Sequence, residues 1–254
     1  MPPHDNPTHH STPHPPPASP IAPPYPTGFA VAIDGPAGVG KSTTARKVAE
    51  TLGMTYIDSG AMYRAIALYN ITKGVNLKDE AAVATTLPNI EVSLSKQQVF
   101  LNGEDVSGAI RTQAISDATS QIASYAPVRE KLDCIQKTQA ATGQVIMDGR
   151  DIGSNVLPWA QVKIYLDADV DTRAARRVKD LTEKGQPADL AQIRNEIKER
   201  DMRDKNRKHG PLAVAKDAIV IDTSHMSQEE VAASIIAHIN TARRKQCSID
   251  SPEG

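Results

Sequence analysis

Apolar and polar positions in this chain fall into blocks that read alternately as strands and helices. A short apolar run from Phe29 to Ile33 predicts a buried strand, and it breaks into the glycine-rich stretch Asp34 to Thr43. Ala45, Val48, Ala49 and Leu52 then recur at helical spacing, with Gly53 placed as a C-cap. Met54 to Ile57 predicts a second strand ending in Asp58-Ser59-Gly60. Ala61 to Lys73 predicts a second helix, stopped by Gly74.

Between about Glu80 and Gly108 the period shortens. Ile90 to Leu94 and Gln98 to Leu101 alternate like half-buried strands, and Asn102-Gly103 is a strong hairpin signal. A small antiparallel sheet is therefore expected inside an α/β chain. Helical patterns resume over Arg111 to Tyr125 and from Pro127 to Thr142, where the proline suits a first helical turn.

Alternation returns with strands at Gln144 to Met147, before Asp148-Gly149-Arg150-Asp151, and at Val162 to Leu166, before Asp167. Two polar helices are expected over about Asp171 to Lys184 and Asp189 to Arg207, then a last strand at Ala218 to Ile221. Ser227 with Glu230 forms a capping box for the closing helix. Strands separated by helices imply a parallel sheet covered on both faces, with ligands at the carboxyl ends of its strands.

Composition divides the 254 residues unevenly. The first 26 hold 11 of the 18 prolines and 4 of the 7 histidines, so residues 1–27 read as a Pro/His-rich tail without a core of its own. His4, His9, His10 and His14 lack the fixed geometry a metal site needs. No apolar run approaches the ~18 residues that span a bilayer, and no secretory signal pattern opens the chain. Cys134 and Cys247 make neither a metal cage nor a disulfide framework, so a cytoplasmic protein is expected.

Net charge is −1, yet Arg173 to Lys208 carries 12 Lys/Arg against 7 Asp/Glu. A local cationic segment in an otherwise acidic chain points to a small polyanion rather than a polymeric nucleic acid, or else to a solvated helix face.

Gly35 to Ser42 matches the spacing G-x-x-x-x-G-K-S in full, between a strand and a helix. Glycines let backbone N–H groups converge on phosphate oxygens, the helix N-terminus adds its dipole, Lys41 neutralises charge and Ser42 offers a hydroxyl to magnesium. The guanine-reading Asn-Lys-x-Asp is absent. Asp148 follows the apolar Val145-Ile146-Met147 and is placed either to hold magnesium through water or to cap the next turn.

Arg64, Arg129 and Arg150 are placed where loops meet strand ends, and together they predict a second phosphate site opposite the first. Arg173, Arg176 and Arg177 share one helical face, and Arg200, Arg203 and Arg207 another, on either side of the break at Gly185-Gln186-Pro187. Asp204 could pair with Arg200 or hold a ribose hydroxyl. Two such helices predict a lid that closes over a phosphoryl transfer.

Five motifs in order carry a resemblance. They are the phosphate loop from Asp34 to Thr43, Asp58-Ser-Gly-Ala-Met-Tyr-Arg64, Asp105-Val-Ser-Gly-Ala-Ile-Arg-Thr112, Asp148-Gly-Arg-Asp151 and Glu199-Arg-Asp-Met-Arg-Asp-Lys-Asn-Arg207. Together, over about Phe29 to Ile239, the chain closely resembles the bacterial cytidylate kinases.

The resemblance implies a P-loop kinase core, with a parallel sheet between helices, a small antiparallel β insert in the nucleoside-monophosphate region and a helical lid. Domain limits then fall at 28–245, with the insert about 80–125, the lid about 171–208 and a flexible tail at 246–254. It implies transfer of the γ-phosphoryl of ATP, as Mg-ATP, to CMP or dCMP in pyrimidine nucleotide metabolism, by a monomer without membrane or polymeric nucleic-acid partners. Gly35, Pro36, Ala37, Gly38, Val39, Gly40, Lys41, Ser42 and Thr43 would bind ATP, with Arg176 near the adenine.

Ser59, Arg64, Arg129 and Arg150 would surround the CMP phosphate, and Ser120, Arg129 and Asp151 would meet the cytosine edge, with Tyr63 in the same pocket. Arg200 and Asp204 would touch the sugar and Arg207 the transferring phosphoryl. Lys41, Arg150 and Arg207 would be catalytic, and Ser42 and Asp148 would hold the metal. The residues by themselves leave room for a kinase of UMP or AMP, or for a nucleotide-binding module without turnover.

Overall fold

The computed structural model describes residues 27–95 and 98–250, so the Pro/His-rich stretch and the last four residues lie outside it. Its core is a parallel sheet of five strands, in chain order β1 (Phe29–Asp34), β2 (Thr55–Asp58), β6 (Gln144–Gly149), β7 (Val162–Asp167) and β8 (Ile219–Asp222). Across the sheet they run in the order β2-β6-β1-β7-β8. Every residue of the central β1 is buried, as expected of a strand covered on both faces.

Alternation within β1 splits the core in two. Val31 and Ile33 pack with Ala45 and Val48 of α1 (Lys41–Leu52) and with Ile235 and Ile239 of α8 (Gln228–Asp250). Ala30 and Ala32 face the other way, onto Ile57, Met147, Ile152 and Leu157. Gly53, in the left-handed region, caps α1, and Ser227 and Glu230 exchange the capping-box hydrogen bonds that open α8.

A second core joins α2 (Ser59–Thr72) to α3 (Glu80–Thr86), α4 (Gln113–Ile122), α5 (Ala126–Ala140) and the small antiparallel sheet. That sheet contains β3 (Val92–Ser95), β4 (Gln98–Leu101) and β5 (Glu104–Asp105). Asn102 and Gly103 both have positive φ, at 51° and 81°, and turn β4 directly into β5. The sequence pattern thus marks the turn correctly, and the structure adds the short third strand it leads into.

Local differences from the sequence pattern have local causes. The Asp58 carboxylate accepts from Ala61 N, which starts α2 at Ser59 rather than Ala61. Thr112 caps α4 and shifts its start two residues past Arg111. Helix α3, capped by Asp79, is too short to show a period of its own. Helices α6 (Val170–Glu183) and α7 (Leu190–Lys205) pack on each other through Ala174, Ile193 and Ile197, a small core separate from the other three.

Register sets the site. Parallel pairing puts Ile33 opposite Asp148 and Asp58 opposite Asp148, so the carboxyl ends of β1, β2 and β6 finish at one level.

Candidate active site

Gly35 opens the phosphate loop with φ 150°, and a Cβ there would lie 2.2 Å from Leu166 O, so the strand-to-loop turn excludes any side chain. Gly40, at φ 95°, leads directly into α1. Lys41 at the start of that helix is buried, and its Nζ donates to Pro36 O at 2.7 Å. Burial, and next Arg150, push its pKa well below the usual lysine range.

Ser42 Oγ donates to Asp148 Oδ2 at 2.8 Å, while Tyr56 Oη donates to Oδ1 at 2.7 Å. Ser59 Oγ donates to the Asp148 carbonyl at 2.6 Å. Burial, with Asp58 nearby, raises the Asp148 carboxyl above its ordinary value. A buried carboxylate beside a hydroxyl is a hard-oxygen donor pair, the kind Mg²⁺ takes alongside water and phosphate oxygens. Among the described residues no group of three or more His, Cys, Asp or Glu could hold a metal by itself.

Arginines crowd the facing wall. Arg64 pairs with Asp58 at 2.9 Å, Arg150 Nε donates to Asp204 Oδ2 at 2.8 Å, and Arg129 pairs with Asp151 while lying 5.9 Å over the Tyr63 ring. Three buried polar atoms on this wall, Ser120 Oγ, Arg200 Nε and Arg207 Nη2, have no hydrogen-bond partner in the protein. Buried polar groups are seldom left so, and these are the ones a polar ligand would satisfy. Burial, and then Arg150, lower the Arg200 pKa to about 10, which an anion beside it would reverse. Burial likewise raises Asp151 despite Arg129 and Arg207.

One cavity of about 520 Å³ connects these groups. Of the residues the sequence points to, Ala37, Gly38, Gly40, Lys41, Ser42 and Thr43 line one wall. Ser59, Tyr63, Arg64, Ser120, Arg129, Asp148, Arg150, Asp151, Arg200, Asp204 and Arg207 line the rest, and Arg176 lies with Lys179 and Gln228 at the rim. Gly35, Pro36 and Val39 are not in the lining. Gly35 packs on the backbone of β7, the Pro36 carbonyl accepts from Lys41, and the Val39 side chain belongs to the sheet core.

The two arginine faces do not act as units. Arg173 turns away from the cavity to Asp201, whereas Arg176 donates to Thr223 Oγ1 and O, and Arg177 and Arg203 line a neighbouring crevice.

Two groups escape the sequence pattern. The Asp34 carboxylate accepts from Ile152 N and Gly153 N, both at 2.8 Å, and so fixes the turn after Arg150 and Asp151. Burial raises its pKa to about 7. A carboxylate ending a wholly apolar strand is the available signal. The other is Tyr56, whose place on a short strand discloses nothing of its bond to Asp148.

The family model described as Cytidylate kinase matches residues 31–241. A protein of Pelotomaculum thermopropionicum named cytidylate kinase is 46% identical over 220 residues, 85% of this chain and 97% of that one. A cytidylate kinase of Geobacillus thermodenitrificans is 45% identical over 214 residues, 83% of this chain and 96% of its own length. The solved gluconokinase of Sinorhizobium meliloti 1021 is 12% identical, covering 88% of this chain and 98% of that one at a TM-score of 0.45, too slight a likeness to bear on fold or function.

Proposed function

This chain belongs to the cytidylate kinase family, and from that membership we propose that it transfers the γ-phosphoryl group of ATP to CMP or dCMP, releasing ADP and CDP or dCDP. The observation that carries the reading is the shared cavity. A phosphate loop with Lys41 lines the same cavity of about 520 Å³ as Ser59, Arg64, Arg129 and Arg150.

A phosphate oxygen of CMP attacks the γ-phosphorus as the bond to the β–γ bridging oxygen breaks. The monophosphate, with a second pKa near ~6, is already an oxyanion, so no side chain has to remove a proton. Catalysis rests on positioning and charge neutralisation. Lys41 and the loop amides hold the triphosphate, Arg150 and Arg64 hold the acceptor phosphate, and Arg207 reaches the transferring group. Ser42 and Asp148 would hold the Mg²⁺ of Mg-ATP, which neutralises the phosphate oxygens. Arg176, anchored to Thr223, supports the adenine.

Ser120, Arg129 and Asp151 read the base. Cytosine offers an amino donor to the Asp151 carboxylate and a ring nitrogen to a donor beside it, whereas uracil would set a carbonyl against the carboxylate. Each buried group left unpaired costs roughly 1–3 kcal/mol. Arg200 and Asp204 take the sugar.

We assign all of this chemistry to a kinase domain at 28–245, with the monophosphate insert at about 80–125 and the lid at about 171–208. We place the enzyme in the cytoplasm as a monomer in pyrimidine nucleotide metabolism, where ATP and CMP occur. Among the described residues no helix is long and apolar enough to cross a membrane. Assay of ADP formation with CMP, dCMP, UMP and AMP at equal concentrations is the test. CMP and dCMP should lead, and a clear preference for UMP or AMP would overturn the base assignment.

A further inference from the structure

The phosphate loop is gripped from outside by the lid. Arg173 of α6 donates Nη1 to Ala37 O at 3.0 Å and to Asp201 Oδ2 of α7 at 2.6 Å, while Nε donates to Ala168 O at 3.0 Å. Asp201 Oδ1 in turn accepts from Ala37 N at 3.4 Å. Both hydrogen-bonding groups of one loop residue are therefore held by an ion pair whose side chains are 4% and 12% exposed. The next residue, Gly38, closes the contact, since a Cβ on it would sit 3.5 Å from Arg173 Cβ.

A surface arginine has no reason to turn inward here, and a buried ion pair by itself contributes little to stability against its desolvation cost. What the pair does achieve is geometric. Preorganised amides bind phosphate only when the backbone cannot turn them away, and Ala37 lies in the turn between the end of β1 and the start of α1.

We propose that Arg173 and Asp201 are positioning residues for ATP, clamping the Ala37 peptide between the two lid helices and so holding the phosphate loop in its binding shape. The proposal rests on the reading that this loop binds ATP. It assigns neither residue a contact with substrate.

The test uses full-length enzyme carrying Arg173→Lys or Asp201→Asn, and direct titration with a non-hydrolysable ATP analogue and, separately, CMP. The Kd for the analogue and the KM for ATP should rise by about tenfold or more, the size expected for a lost charge-assisted hydrogen bond. The values for CMP should stay within about twofold. Parallel weakening of both ligands, or unchanged ATP affinity in a folded variant, overturns the clamp.

Should both variants fail to fold, amide exchange on the wild type decides. Ala37 N–H should be protected while the exposed Gly38 N–H exchanges freely, and equal rates overturn the proposal. Wild-type enzyme that binds the analogue but does not phosphorylate CMP would instead overturn the kinase reading and leave the clamp standing.

Discussion

Arg150 Nε and Asp204 Oδ2 lie 2.8 Å apart, joining the end of β6 to helix α7 across 54 positions of chain. Burial works against both charges, yet Asp204 holds the Arg150 pKa above the usual range. Arg150, Arg207 and Arg200 hold the Asp204 carboxyl below its own. In the proposed reading, the pair is an arginine for the acceptor phosphate, kept charged and aimed by the carboxylate assigned to the sugar.

Replacing Arg150 by Ala should lower kcat/KM for CMP by about 10²- to 10³-fold. It should also lower Tm, since removing one partner of a buried pair strands the other charge. The double variant Arg150→Ala/Asp204→Ala should regain much of the Tm and none of the turnover. Thermal melts beside steady-state kinetics check this, and a double variant no more stable than the single would show that the pair is not the cause.

Lys41→Met should cut kcat by about 10²- to 10³-fold or more while leaving Tm without nucleotide within a few degrees of the wild type. The reason is that burial and Arg150 already disfavour the Lys41 charge until a phosphate is present. ATP should raise the Tm of the wild type and not that of the variant. Scanning fluorimetry with and without ATP reads both, and an equal ATP shift in the two proteins would remove Lys41 from the phosphate site.

Asp34 supplies a pH dependence with a definite sign. Its folded pKa of about 7 stands above the ordinary 3.8, so the folded protein keeps a proton that the unfolded chain releases. Stability contributed in this way is present at low pH and is lost as pH rises towards 7, amounting to roughly 4 kcal/mol over the whole span. Asp34→Asn cannot titrate, and it sets an NH₂ donor in place of one of the two carboxyl oxygens that accept from Ile152 N and Gly153 N. The variant should be the less stable protein near about pH 5, with the gap narrowing up to about pH 7 and constant above. Tm measured for both across that range checks it, and a gap independent of pH would refute the assignment.

Deletion of residues 1–26 should leave kcat and both KM values unchanged, because every residue assigned to the chemistry lies between Gly35 and Arg207. A large loss of activity in the shortened protein would give that Pro/His-rich segment a role.

Much of the fold was legible because its signals are local. The strand, glycine loop and helix from Phe29 to Leu52 follow from a buried run, a fixed glycine spacing and a 3.6-residue period, each visible within a dozen positions. Asn102-Gly103 marks its turn because few dipeptides tolerate two successive positive φ values. Helix α3 and the shifted starts of α2 and α4 depend on caps and packing that no period reports.

The site divides in the same way. Sequence alone determined which chemistry is present: a phosphate loop with Lys41 and Ser42, arginines at strand ends, and carboxylates beside them, since these depend on residue type and short spacing. Which of those charges are free to meet a ligand follows from how the elements pack. Arg173 and Arg176 are indistinguishable by helical position, yet one is turned inward to Asp201 and the other lines the cavity. Asp34 gains its role from N–H groups 118 and 119 residues away. Partner and burial, which set the charge and direction of a side chain, are properties of strands and helices brought together, and no local pattern encodes them.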